Sequence, residues 1–268
     1  MRYEIHGYKP IQPFIENKTC FLRHSIPVRH PIHDLVWEFY QYETSGLQAE
    51  EVSVVPDACA DMLFCYDSNG LTSFIVGGPF RISTNRYDQK TTVFGIRFVT
   101  GSEFSICGVP VHGHPFEHMI CRDINSKFRE WDERMTECVT FDERVSFCEK
   151  KISSLLMTRD EVPLLVRFAV TAIINNEGNL KISRLADQSG YSVRYIEKQF
   201  NEYIGLEPKK LCEIVRFQNA LTHLIARHGD KLSDIAWDAG YYDLSHMNKS
   251  YRQMTSALPR DVTGLLDK

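Results

Sequence analysis

One pattern occurs twice in the last third of the chain: ISRLADQSGY from Ile182 to Tyr191, and LSDIAWDAGY from Leu232 to Tyr241. At a shift of 50, Ile182 aligns with Leu232, Leu185 with Ile235, Ala186 with Ala236, Gly190 with Gly240 and Tyr191 with Tyr241. After one inserted residue the match resumes, Ile196 to Met247, Lys198 to Lys249 and Phe200 to Tyr251. Few folds suit such a repeat. A small residue (Ala186, Ala236) lets two helices cross closely. A glycine (Gly190, Gly240) ends the first helix in the left-handed region, and a capping side chain (Ser192, Asp243) starts the second. Each copy therefore predicts a helix-turn-helix.

The second helix of each unit has an apolar inner face, Ile196 and Phe200 or Met247 and Tyr251. Its outer face is free to enter a major groove. In the first unit that face carries Val193, Arg194, Glu197 and Lys198, behind the cap Ser192. In the second it carries Leu244, Ser245, His246, Asn248, Lys249 and Arg252. Arg194 and Lys198 suit guanine O6 and N7, Glu197 suits cytosine N4, Asn248 suits adenine or a phosphate, and Leu244 suits a thymine methyl. Between the units, Pro208 to Arg227 shows a helical stripe of Leu211, Ile214, Val215, Leu221, Leu224 and Ile225. A helix of about 20 residues spans roughly 30 Å. That is near the ~34 Å turn of duplex DNA, so one helix can hold both units over successive grooves.

The stretches LADQSGYSVRYIEKQFNEYIGLEPKKL, VRFQNALTHL and LSDIAWDAGYYDLSHMNKSYRQM, in this order and spacing, resemble the AraC/XylS family of bacterial transcription regulators. The resemblance covers residues 162–262. It implies a seven-helix DNA-binding domain, with an additional helix over Val162 to Asn176, that reads DNA with the outward residues named above. Two features depart from the family. YRQMTSALP lacks the glycine usual near Ser256, though Pro259 is in place. From Ile174 onward there are 13 Lys+Arg against 12 Asp+Glu, near neutrality for a domain that grips phosphate. Modest non-specific binding is expected, with specificity leaning on dimerisation or a partner. Arg184, Arg194, Lys198, Lys209, Lys210, Lys249 and Arg252 are candidates for a local basic face.

The first 173 residues hold 18 Lys+Arg and 23 Asp+Glu, a poor balance for gripping DNA. They read as mainly β to about residue 124. Short apolar runs at Val52–Val55, Met62–Tyr66, Ser73–Val76 and Thr92–Phe98 are bounded by Pro and Gly signals. Their spacing suggests a small barrel or sandwich. His33 to Tyr42 reads as a short helix with Leu35, Val36 and Phe39 inward, and residues 125–157 return to helical periodicity. The whole is an α+β chain of two domains. Residues 1–160 form a sensor or dimerisation domain, and residues 161–268 an all-α DNA-binding domain with two helix-turn-helix units on one long helix.

VVPDACADMLFCY, VGGP and FGIRFVTG resemble the N-terminal domain of one subgroup of these regulators, which implies a sensor, a dimerisation module, or both. Arg97 is either the cation for an anionic effector or the partner of Asp57 or Asp61. The cluster Cys107, His112, His114, His118 and Cys121 raises a different reading, a metal-dependent barrel enzyme fused to a DNA-binding domain. Against it, His112-Gly113-His114-Pro115 is turn-like, so no metal, cofactor or catalytic residue is assigned. The eight scattered cysteines lack a C-x-x-C pair and read as small buried hydrophobes. No apolar run reaches the roughly 18 residues of a membrane span, and MRYEIHGYKPIQPF lacks a signal-peptide core.

The chain is thus expected to be cytoplasmic and a sequence-specific DNA-binding regulator rather than an enzyme. Its expected partners are double-stranded DNA, a small-molecule effector, a second copy of the chain and, for an activator, RNA polymerase. A partner-controlled regulator without a small ligand is the third reading.

Overall fold

The computed structural model describes residues 8, 10–18, 20–46, 48–107, 119–124, 126–156, 162–227 and 229–266. A one-turn helix α1 (Pro13–Glu16) precedes seven strands: β1 (Leu22–Ser25), β2 (Val36–Glu43), β3 (Glu50–Val54), β4 (Asp61–Asp67), β5 (Gly70–Val76), β6 (Ser83–Tyr87) and β7 (Thr92–Phe98). There follow α2 (Phe104–Cys107), β8 (Met119–Ile120), α3 (Cys121–Ile124), α4 (Phe128–Glu137) and α5 (Phe141–Leu155). Six strands form one antiparallel sheet in the order β1-β2-β7-β4-β5-β8, and β3 pairs with β6 in a second. Among the described residues neither sheet closes on itself.

One face of the large sheet is filled by Phe39, Phe64, Phe94 and Phe98, packed with Phe128 and Trp131 of α4 and Val145 of α5. The helical periodicity of residues 125–157 thus covers the sheet. The helix expected over His33 to Tyr42 is a correction: residues 36–43 are strand β2, paired in register with β1 on one side and β7 on the other. Six of its eight residues are buried. A strand covered on both faces loses the apolar–polar alternation that would mark it, and Leu35, Val36 and Phe39 then mimic a helical spacing.

The rest is helical: α6 (Leu164–Asn175), α7 (Ile182–Ser189), α8 (Val193–Tyr203), α9 (Pro208–Ala226), α10 (Leu232–Asp238), α11 (Leu244–Thr255) and α12 (Pro259–Leu266). The expected lead-in helix is α6. Gly190 and Gly240 take φ of 73° and 79°, so both turns use the left-handed backbone that glycine adopts without strain. Pro208 opens α9, where its missing N–H costs nothing.

Ser256, where the resemblance leads one to expect a glycine, has a visible consequence. Ser256 ends α11 at φ 60°, ψ 10°, with its N–H on Arg252 O. The chain keeps the turn and bears the strain of a side chain there, about 1–2 kcal/mol. Part of that is offset by the freer unfolded chain of a glycine. Ser256→Gly is therefore expected to raise stability by about 0.5–1 kcal/mol, read as a higher urea midpoint.

The β-rich and helical parts share a core. Val55 and Ala58 are buried in the same cluster as Leu185, Phe200, Phe217 and Tyr251, and Ile11, Phe80, Ile82 and Phe104 pack against it. The Phe104 and Tyr203 rings meet at 5.0 Å. Gln218, buried in the middle of α9, accepts from Ile11 N–H at 2.9 Å and donates to Ile11 O at 3.3 Å and Pro56 O at 2.7 Å.

Candidate nucleic-acid interface

Both second helices start from a side-chain cap. Ser192 Oγ accepts from Tyr195 N–H at 3.2 Å, and Asp243 Oδ1 accepts from His246 N–H at 2.7 Å. Each bond satisfies one of the donors that a helix start leaves open. Inside, Ile196, Phe200, Met247 and Tyr251 are all fully buried, which turns the opposite faces outward. The connecting α9 has 19 residues, a length of about 28 Å at 1.5 Å per residue.

The sequence-derived face separates into three kinds of position. Arg194, Glu197, Lys198, Ser245, Lys249 and Arg252 are exposed, and Asn248 is half-buried. Ser192 is exposed but spends its oxygen on the cap. Val193 and Leu244 are half-buried at the first positions of their helices, and Leu244 packs against the core. His246 is exposed, yet its ring stands edge-on to Tyr241 at 5.2 Å, and Nδ1 accepts from Tyr242 N–H at 3.4 Å. That imidazole braces the turn.

Charge sorts the face further. Among the described residues, the side chains of Arg184, Arg194, Lys198, Lys209, Lys249 and Arg252 make no ion pair or hydrogen bond. Lys210 instead pairs with Glu213 at 3.3 Å. Elsewhere arginines are neutralised, as in Arg227–Asp238 and Arg97–Asp61. Lys181, Lys209, Arg216 and Lys249 line a cleft of about 670 Å³ between the two units. So a near-neutral domain still presents several unpaired cations, two of which, Lys209 and Lys249, line this cleft. Tyr195, 42 % exposed and stacked on Tyr191 at 5.1 Å, is a further exposed residue of α8. Sequence reasoning passed over it because an aromatic at helical spacing ordinarily reads as core.

In the N-terminal part, Arg97 is taken. Its guanidinium donates to Asp61 at 3.2 and 3.1 Å and to Glu38 at 3.1 Å, lies 3.7 Å from Asp57, and sits over the Tyr40 ring at 4.9 Å. The carboxylate-paired alternative therefore describes Arg97. Of the metal cluster, His112, His114 and His118 lie outside the described residues, as does the side chain of Cys107. Among the described residues no group of three His, Cys, Asp or Glu could hold a metal ion. Cys59, Cys121, Cys148 and Cys212 are buried, Cys65 and Cys138 half-buried, and Cys20 exposed. Among the described residues no helix is long and apolar enough to cross a membrane.

Residues 185–264 match the model of a helix-turn-helix domain, and residues 24–114 match a domain of unknown function (DUF6597). The HTH-type transcriptional activator RhaS of Escherichia coli O157:H7 is 30% identical over 78 residues, 29% of this chain and 28% of its own length. RhaS of Escherichia coli K12 matches over the same share. The chain thus covers under a third of the curated relatives it matches. Among solved structures, ToxT of Vibrio cholerae O395 aligns over 85% of this chain and 97% of its own, at 13% identity and a TM-score of 0.42. The C-terminal domain of AraT from Geobacillus stearothermophilus covers 40% of this chain and 88% of its own, at 17% identity and a TM-score of 0.37. These relatives are named transcriptional activators, and the matched C-terminal domain is a helix-turn-helix domain. The two helix-turn-helix units, α7–α8 and α10–α11 joined by α9, fall almost wholly within the residues that match the helix-turn-helix domain model.

Proposed function

We propose that this protein is a sequence-specific regulator of transcription. In this reading α8 and α11 enter successive major grooves on one face of a duplex, and residues 1–160 set the state of the DNA-binding residues 161–268. The observation that carries it is the pair of capped helices whose exposed faces hold unpaired cations, joined by a helix about one DNA turn long. Arg194 and Lys198 read bases in the first groove. Ser245, Asn248 and Lys249 do so in the second, with Arg252 and Glu197 flanking. Ser192, Val193, Leu244 and His246 hold the two helix starts. Duplex DNA is the partner, and the activator name of the RhaS relatives suggests RNA polymerase as a second one. The expected compartment is the cytoplasm.

Control by the N-terminal domain has two versions. Among the described residues, a cleft of about 70 Å³ lies between the two parts, lined from both sides by residues such as His33, Thr100, Val166 and Val170, and one of about 170 Å³ lies beside Trp37 and Arg97. Ready-made small-molecule sites usually exceed roughly 300 Å³. A small effector seated in either of these clefts would therefore have to widen it, and it acts only if it favours one arrangement over another. The other version is control by a second copy or a protein partner.

Selection of bound sequences from a random duplex pool by the full-length protein tests the reading. An enriched motif with two half-sites about 10 base pairs apart is the expected result. Absence of any enriched sequence would remove autonomous sequence-specific binding. On the enriched duplex, Arg194→Ala and Lys198→Ala should each weaken binding by about 1–3 kcal/mol and relax preference at particular base pairs. A loss equal on all sequences, with a shallower salt dependence, would reassign both to phosphate.

A further inference from the structure

The β5–β6 connection carries Arg81 to the second reading helix. Ile82 N–H donates to Met254 O, in the last turn of α11, at 2.6 Å. Phe80 and Ile82, on either side of Arg81, pack against the core that the two parts share. The backbone around Arg81 is thus fixed to α11 by one hydrogen bond and to the shared core by two apolar anchors. Arg81 itself is exposed. With Ser245, Asn248, Lys249, Arg252 and Gln253 it lines an open groove of about 420 Å³.

This lining holds three cations and no carboxylate. Among the described residues, none of Arg81, Lys249 and Arg252 makes a side-chain ion pair or hydrogen bond. Three like charges held together without a counterion repel one another, and the arrangement gains energy only when an anion enters. The other residues of the groove are those of the outward face of α11.

Resting on the reading of α11 as a groove-binding helix, we infer that Arg81 is a DNA-phosphate contact supplied by the N-terminal domain. Its place decides for phosphate over base. In a helix-turn-helix the N-terminal residues of the reading helix meet base edges. Arg81 approaches from the Met254 end, beside Arg252, where the groove wall and its backbone oxygens run. The contact positions the duplex and carries no sequence information of its own. It also makes affinity depend on the docking of residues 80–82, so a shift of the N-terminal domain away from α11 removes one contact from the DNA.

The test is the salt dependence of duplex binding by the full chain, on a mixed-sequence duplex of about three helical turns and on the duplex enriched from the random pool. Arg81→Ala should lower the slope of log affinity against log salt by about 0.9 and weaken binding about three- to tenfold near 0.1 M salt, equally on both duplexes. Arg81→Lys should retain most of the slope, and Arg29→Ala, an exposed arginine distant in sequence, should leave it unchanged. An unaltered slope in Arg81→Ala overturns the contact. So does an equal change in Arg29→Ala, which would make the effect one of net charge. Tighter binding by Arg81→Ala would also overturn it, making the loop an obstacle. A wild-type chain that retains neither duplex overturns the DNA-binding reading itself, and the contact with it.

Discussion

Arg97→Met should destabilise the protein by about 3–5 kcal/mol at neutral pH, the cost of removing one partner from a buried charge network. The size follows from what is left behind. Among the described residues, Asp57 would keep Gln12 Nε2 at 2.7 Å and Cys59 N–H at 2.9 Å, and Asp61 the Tyr40 hydroxyl at 2.7 Å. Glu38 retains Arg23 at 2.9 Å and suffers least. The pH dependence gives the prediction a sign. Burial already raises Asp57 above the ordinary aspartate value, and the nearby Arg97 holds it down. Without Arg97 the native state binds the proton more readily still than the unfolded chain does. Stability of the variant then falls as pH rises from the unfolded towards the native value. The penalty should be full near pH 7–8 and smaller near pH 5, measured as urea midpoints of variant and wild type at both. An equal penalty at both pH values would mean that lost packing over Tyr40, and not stranded carboxylates, carries the effect.

The fate of Arg97 also shows which parts of this protein could be read from its residues. Each helix-turn-helix announces itself locally. Glycine at a left-handed turn, serine or aspartate at a helix start and an apolar stripe all act within a few positions, so α7 to α11 follow from the chain. Strands are set by their neighbours. Thr92–Phe98 was legible because its residues suit any strand interior. In contrast β1 (LRHS) and β6 (STNRY) are polar edge segments, defined by their pairing with β2 and β3. Whether Arg97 faced an effector or a carboxylate depended on Glu38 and Asp61, which only the sheet register brings opposite it.

The interface shows the same division. Helical spacing placed Arg194, Lys198, Ser245, Lys249 and Arg252 on exposed positions. It did not show that His246 turns back to Tyr241, because that contact arises across the turn. Nor could it place Arg81 at α11, since only the docking of Phe80 and Ile82 brings the two together.

Gln218→Leu should cost about 2–4 kcal/mol and change the shape of the unfolding curve. The substitution keeps an apolar body of similar size in α9. It strands Ile11 N–H, Ile11 O and Pro56 O, and a buried polar group without a partner costs about 1–3 kcal/mol. Ile11 lies nearer to solvent and recovers part of its loss. These bonds cross from the N-terminal residues to the helix that carries both reading units. Gln12 extends them inward through Val55 and Asp57 to the Arg97 network. In the wild type the shared core and this clasp should make the two parts unfold together. In a Trp237→Phe background, the Gln218→Leu transition followed by the fluorescence of Trp37 and Trp131, both inside the β-rich part, should separate from the far-UV signal dominated by the C-terminal helices. A loss below about 1 kcal/mol with coincident transitions would mean that apolar packing of Val55 and Ala58 alone joins the parts. The distinction bears on regulation. Whatever the N-terminal domain binds can influence the reading helices only by the free energy that the junction transmits. A clasp worth 2–4 kcal/mol (about the size of known allosteric couplings) is enough to shift DNA affinity by orders of magnitude if binding opens it.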